Sequence, residues 1–244
     1  AWAAASELYT LQSHFLTQLL TDCATHPPPT VRYSASGMIL HIHSDASYLS
    51  ETEARSRAGG TFFLSSLPAD PTATPDPNST PPPFNGAIHV HCSIIKAVVS
   101  SATETELGAL FYNAKDGAWL RTTLTGMGHP QPATPIQTDN ACASGIANDT
   151  VKQRRSKAID MRFYWVRDRV SQGQFLVHWR RGTDNLADYF TKHHSPTHHR
   201  KMGPGTFSIF TNHVLHASSE GVLIFPVYLS LRTSVRFPSV HPLS

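Results

Sequence analysis

Short runs of apolar and β-branched residues alternate with helical patterns along this chain, and their order predicts a mixed α/β domain. Residues 6–20 (SELYTLQSHFLTQLL) have the spacing of a short amphipathic helix starting at a Ser cap, and Pro27, Pro28 and Pro29 end it. Strands are expected at Met38–Ser44 (MILHIHS), at Thr61–Leu64 after Gly59-Gly60, and at Ala87–His91. Three strands in a row suggest an antiparallel meander. The Pro/Thr/Asp/Asn-rich stretch Pro68–Pro83 can sustain neither ladder nor helix and is read as a surface loop. The period then changes to 3.6. Ser101 with Glu104 forms a capping box, and Leu107, Leu110, Phe111, Ala114 and Ala118 follow on one face of a long helix ending near Gly126. A fourth strand at Pro135–Thr138 precedes a helix over 157–171, marked by Ile159, Phe163, Val166 and Val170 and ended by Gly173. A fifth strand, Phe175–Trp179, leads to a last helix, Leu186–Lys192, capped by Asp184 or Asn185. The predicted fold is a five-stranded mixed sheet, its first three strands antiparallel, flanked by helices.

Composition narrows the class of protein. With 244 residues and 40% hydrophobic content the chain can bury a core, while its 18 prolines are clustered in linkers. The net charge is only +3, yet seven basic residues between Lys152 and Arg169 stand against two acids, Asp160 and Asp168. A basic stripe on a near-neutral domain suits a polyanionic partner, although a solvated helix face has the same composition. Cys23, Cys92 and Cys142 are odd in number, with no C-x-x-C pair, which argues against a disulfide framework or zinc ribbon and for a reducing compartment. The apolar stretch Val222–Leu231 is broken by Pro226 and too short to span a bilayer, so no membrane partner is expected. The histidines His193, His194, His198 and His199 lack a Cys partner or an H-x₃-H helix, and a basic-polar terminus is expected there rather than a zinc site.

Three acids occupy comparable places: Asp45 after the first strand, Asp139 after the fourth, and Asp188 at the start of the last helix. A fourth, Glu104 or Glu106, lies in the first turns of the long helix. Periodicity does not decide between these two; Glu104 is engaged in the capping box, so Glu106 is the better candidate. Clustered carboxylates raise one another's proton affinity and stay ionised only around a cation. Oxygen-only ligands favour Mg²⁺ or Mn²⁺ over zinc, and two such ions are a recurring device for phosphodiester cleavage. Each acid also has a plainer role open to it: turn closure for Asp45, an Asx turn for Asp139, helix-dipole complementation for the glutamates, solvation for Asp188.

Five blocks in order carry a resemblance: HSDAS (43–47), SSATETELGAL (100–110), PIQTDN (135–140), SKAIDMRFYWVRDRV (156–170) and NLADYFTKHH (185–194). Together they resemble the ribonuclease H of copia-type LTR retrotransposon Pol polyproteins, over about residues 38–194. The resemblance implies a ribonuclease H-like fold and a metal-dependent endonuclease that hydrolyses the RNA strand of RNA/DNA hybrids during reverse transcription. It implies Asp45, Glu106, Asp139 and Asp188 as catalytic, metal-binding acids holding two Mg²⁺ (or Mn²⁺) ions. It further implies a reverse transcriptase domain as polyprotein partner, and the cytoplasm (in a retrotransposon particle) or the nucleus as location. Residues 1–33 would be an N-terminal helix and linker left from the reverse transcriptase connection. Residues 34–196 would be the ribonuclease H-like domain, with the Pro-rich loop 67–86 inserted, and 197–244 a tail of unassigned structure.

Arg154, Arg155, Lys157, Arg162, Arg169 and Arg181 are candidate nucleic-acid contacts, with Arg162 and Arg169 placed opposite the Phe163/Val166 stripe and Trp165 between them. Ser44 and Asn140 neighbour the acids and are expected to orient them. Bacterial enzymes of this type carry a mobile histidine before the last acid; here that loop reads Arg180-Arg181-Gly182-Thr183, and His178 would have to serve from its strand. Two rivals remain. One is an inactive nucleic-acid-binding or tethering module from a decayed element. The other is a transposase or integrase core, which the LADYFTK ending opposes because such cores end in a glutamate.

Overall fold

The first strand, β1, runs Ile39–Glu51, nearly twice the length of its aliphatic run. Its polar second half, invisible to a search for apolar content, turns through the 3-10 segment Thr52–Ala54 and returns along β2, Arg55–Ser65. Glu53 and Ala54 take positive φ there, so the turn is built without glycine. The computed structural model describes residues 33–66, 84–151 and 161–192, with single positions at 13, 14, 16, 17, 21, 76 and 78. The expected N-terminal helix, the Pro-rich loop, the start of the 157–171 helix and the tail fall wholly or mostly outside the described residues.

β3 spans Ala87–Ile95, α1 Ala102–Gly126, β4 Thr134–Thr138, α2 Ala141–Ala147, α3 Met161–Ser171 and β5 Phe175–Trp179. The strand order is β3-β2-β1-β4-β5. β1 pairs antiparallel with β2, as β2 does with β3, while β1–β4 and β4–β5 are parallel. This is the mixed five-stranded sheet, with its antiparallel first three strands, expected from the sequence. α2 has no counterpart in the sequence pattern; seven residues give too short a periodicity to read, and its one local signal is Asn140, whose side chain accepts from the amide of Ala143 at 2.9 Å. The last element is a correction: Leu186–Phe190 is 3-10, not α-helical, with Asn185 rather than Asp184 as its cap. The capping box is also altered. Ser101 Oγ accepts from Glu104 N at 3.2 Å, but Glu104 reaches back to Ser100, accepting from its amide at 2.7 Å and its hydroxyl at 2.8 Å.

Register divides the sheet into an apolar and a polar face. Phe62, Ile42, Ile136 and Val177 are cross-strand neighbours, all at most 1% exposed, and they meet Leu107, Leu110 and Ala114 of α1. Each burial of one of the Phe, Ile, Val or Leu side chains contributes about 1.5–3 kcal/mol. A Cβ on Gly117 would come within 2.6 Å of Ile42 Cδ1, so glycine there sets how closely α1 approaches β1. One residue further along each strand, Thr61, His43, Gln137 and His178 form a buried row pointing the other way. The next row of that polar face carries Asp45, and Asp139 lies two residues beyond Gln137 as Asp45 lies two beyond His43.

Candidate functional site

Parallel pairing of β1 with β4 places Asp45 and Asp139 side by side, and α1 brings Glu106 to them from its second turn. One carboxylate oxygen from each lies within 4.8 Å of the others. Asp45 is buried beside Gly59 of β2. Its Oδ2 accepts from Thr191 Oγ1, and Lys192 Nζ stands 3.9 Å from Oδ1. Glu106 Oε1 accepts from the amide of Ala46 at 3.2 Å. Asp45 Oδ1 and Glu106 Oε2 are buried with no hydrogen-bond partner among the described residues. Asp139 is half-buried; its backbone carbonyl accepts from Trp179 Nε1 at 2.9 Å. A Cβ on Gly182 would lie 2.8 Å from Asp139 Oδ2, so the absence of a side chain there clears space around that carboxylate.

Asp188 is not in this group of three. It pairs with Lys192 on the 3-10 turn, and its charge acts on Asp45. Glu104 stays at the helix cap, while Glu106 lies with Asp45 and Asp139. Burial, then the charges of Asp45 and Asp139, push the Glu106 carboxyl up to about 9. Burial also lifts Asp45 to about 6; Thr191 and Lys192 oppose the rise, while Asp139 and Asp188 add to it.

Two orphaned, buried carboxylate oxygens and an all-oxygen donor set fit a hard divalent cation. The carboxyls repel while bare, and a cation among them would supply both the missing partners and the compensating charge.

Other expected residues fall at varied distances from the acids. Ser44 Oγ accepts from Asn113 Nδ2 at 2.8 Å, and its backbone carbonyl accepts from Asn185 Nδ2 at 2.8 Å. Its link to the site therefore runs through the main chain to the turn that holds Asp188. Asn140 spends its side chain capping α2. Arg181 is exposed at the start of the Gly182–Asp184 turn, and it is the next residue, Gly182, that lies against Asp139. Arg162 and Arg169 are a correction: they flank the Phe163/Val166 stripe half-buried, while Met161, Tyr164 and Asp168 occupy the exposed face. Trp165 packs edge-on against Phe111 with ring centroids 5.6 Å apart, and the Arg169 guanidinium lies 5.1 Å from the Trp165 ring centroid. Arg154, Arg155 and Lys157 lie outside the described residues. His178 is buried in the polar row, where desolvation lowers it to about 4.

Thr191 and Lys192 are site residues that the sequence reading misses, although both stand in the NLADYFTKHH block. Asn113 is another, because a polar residue on the buried side of a helix has no signature in an apolar stripe.

No protein-family model matches the chain. Over 160 residues, 66% of its length, it is 26% identical to the Retrovirus-related Pol polyprotein from transposon TNT 1-94 of Nicotiana tabacum. The chain is similar to a segment of a retrotransposon Pol polyprotein. It spans only 11% of that polyprotein's length. Solved structures that align with it include the N-terminal ribonuclease H domain of a Mycobacterium tuberculosis protein, at 12% identity and TM-score 0.40, covering 63% of this chain and 91% of that one. Another is LC11-RNase H1 in complex with an RNA/DNA hybrid, at 10% identity and TM-score 0.40, covering 62% and 93%. Strand order and direction, rather than these scores, carry the fold.

Proposed function

We propose that this chain is the ribonuclease H domain of a copia-type retrotransposon Pol polyprotein, an endonuclease hydrolysing the RNA strand of RNA/DNA hybrids to 3′-hydroxyl and 5′-phosphate ends. The observation that carries the reading is the meeting of Asp45, Glu106 and Asp139 with two buried carboxylate oxygens left without a hydrogen bond. Asp45, Glu106 and Asp139 would hold Mg²⁺ or Mn²⁺, with Asp188 as a fourth acid at the rim. When bound, a pair of such ions activates the attacking water and stabilises the leaving oxygen.

The protein's own groups fix the geometry. Ala46 N and Thr191 Oγ1 each hold one oxygen of a carboxylate, leaving the other without a hydrogen bond and able to face a ligand. Lys192 offsets negative charge between Asp45 and Asp188. Gly182 keeps the approach to Asp139 open, and Arg181, exposed next to it in sequence, would meet a phosphate. Selection of a hybrid would come from contacts to RNA 2′-hydroxyls near the acids and to DNA phosphates along the basic segment 152–169. The reverse transcriptase of the same polyprotein would be its partner, acting in the cytoplasmic particle or the nucleus.

Incubation of the protein with a labelled RNA/DNA hybrid and Mg²⁺ tests the reading. Cleavage of the RNA strand is expected, with loss of activity in Asp139→Asn. Binding of the hybrid with no cleavage by the unmutated protein would replace it with the tethering-module alternative.

A further inference from the structure

A second group of metal-ligating side chains sits on the edge strand, away from the three acids. His89 and His91, two apart on β3, project to the same face of the sheet, and Asp116 of α1 meets them there. His91 Nδ1 is 2.8 Å and His89 Nε2 3.3 Å from Asp116 Oδ2, and the three candidate ligand atoms lie within 4.8 Å of one another. Asp116 is ten residues along α1 from Glu106, about 15 Å at the helical rise, so the two groups are separate.

We propose that His89, His91 and Asp116 form a zinc-class metal site that clips the edge strand β3 to helix α1. The donor set is two imidazoles and one carboxylate, which suits Zn²⁺ and disfavours Mg²⁺. Tetrahedral zinc with bonds of about 2.0–2.1 Å holds neighbouring ligands about 3.3 Å apart, and Asp116 Oδ2 already stands 3.3 Å from His89 Nε2 and 2.8 Å from His91 Nδ1. His91 is already braced for the task. Its Nε2 lies 2.7 Å from Ser93 Oγ, and its ring stacks on Tyr112 with centroids 5.7 Å apart. In the tautomer whose Nε2–H donates to Ser93 Oγ, Nδ1 presents a lone pair toward Asp116, and a cation rather than a proton then joins the two. The His89 ring rests against Phe62 at 4.8 Å between centroids. Side-chain exposures of 42% for His89 and 32% for Asp116 give an ion direct entry and leave the fourth position to water.

This site is not required for phosphodiester cleavage; it stabilises an edge strand that otherwise has a neighbour on one side only. The test is calorimetric titration of the metal-stripped full chain with Zn²⁺, in excess Mg²⁺ to occupy the carboxylates. One equivalent should disappear in His89→Gln and in Asp116→Asn, bind about tenfold more weakly in Ser93→Ala, and persist in Asp139→Asn. Cobalt(II) at the site should give the intense visible bands of a four-coordinate ion in the unmutated protein and lose them in His89→Gln. His89 is exposed enough for that variant to fold, which a zinc-free melting curve verifies. Equivalents that survive both substitutions belong to other histidines. If no equivalent is lost in either variant, or the unmutated chain binds no zinc, the assignment is wrong.

Discussion

His43 Nδ1 accepts a hydrogen bond from the backbone amide of Leu186 at 3.1 Å, which ties the central strand to the turn bearing Asp188 and Thr191. The bond requires an unprotonated Nδ1. Burial, with His178, His41 and Arg180 nearby, lowers His43 to about 3, and burial lowers His41 and His178 to about 4. These folded values lie below the unfolded one near 6.5, so their stabilising contribution is full above pH 6.5 and is lost as pH falls toward 3–4. Asp45 and Glu106, raised in the fold, act with the opposite sign over part of that range. A comparison with His43→Gln isolates the histidine. The stability gap between unmutated protein and variant should narrow, by on the order of 1 kcal/mol per pH unit, as urea unfolding is followed from pH 6.5 down to 4.5. A pH-independent gap would contradict it.

Glu106 gives a prediction of the reverse sign. Its folded value near 9 lies above the unfolded value near 4.5. The contribution of Glu106 to stability without divalent ions therefore falls as pH rises from about 4.5 to 9, by up to about 1.4 kcal/mol per unit. Glu106→Gln cannot ionise and lacks that slope. In chelator at pH 8.5 the variant should melt higher than the unmutated protein, and Mg²⁺ should reduce or reverse the difference. Equal melting temperatures in chelator at that pH would count against a crowded, repelling carboxylate cluster.

Gly60 faces Asn113 across the apolar side of the sheet, and a Cβ on it would lie 2.0 Å from Asn113 Oδ1. Asn113 Nδ2 donates to Ser44 Oγ and to the Gly59 carbonyl, both at 2.8 Å. Gly60→Ala must expel this side chain and leave its partners unpaired, at a cost of about 2–4 kcal/mol. Because the clash is with one residue, Gly60→Ala/Asn113→Ala should be less destabilised than the sum of the single variants. Additive losses in denaturant unfolding would locate the damage elsewhere.

The basic segment bears on substrate binding. Replacing Arg154, Arg155 and Lys157 with alanine should reduce the slope of log affinity against log salt by about 2–3 for the RNA/DNA hybrid, close to one unit for each phosphate no longer neutralised. An unchanged slope would make the stripe a solvated surface.

What the sequence disclosed follows from which interactions are local. β5 was legible residue for residue because Phe175, Val177 and their neighbours alternate within an apolar run. β1 was legible only as far as its aliphatic part; the ladder from Asp45 to Glu51 is specified by β2, a partner whose register no local pattern announces. The glycine pair 59–60 looked like the punctuation before a strand. In the fold it lies inside β2, where Gly60 admits Asn113 from one side and Gly59 admits Thr191 and Ala187 from the other. The acids were marked individually by their places after strands and on helices. Their meeting depends on parallel β1–β4 pairing and on the entry angle of α1, both set by tertiary packing. Lys192, four residues after Asp188, was within reach of an i,i+4 argument, but its proximity to Asp45 was not.

Gly182 offers a way to disturb the site without touching a charge. Its α-carbon lies beside Asp139, and alanine would place a methyl 2.8 Å from Oδ2. This glycine does not sit at positive φ, so the substitution strains no backbone. The methyl competes only with the carboxylate, which must rotate or shift by several tenths of an ångström. Stability should then change by less than about 0.5 kcal/mol, as for a substitution away from the core. If Asp139 acts by position, hybrid cleavage under saturating Mg²⁺ should fall at least about tenfold, since misplacement of a catalytic group by 1 Å can cost about a hundredfold. The same variant should need more Mg²⁺ to reach half its maximal rate, because the displaced oxygen is one of the proposed ligands. Unaltered kcat and Mg²⁺ dependence, with an intact melting curve, would remove Asp139 Oδ2 from the reaction and leave the neighbouring acids to account for any cleavage.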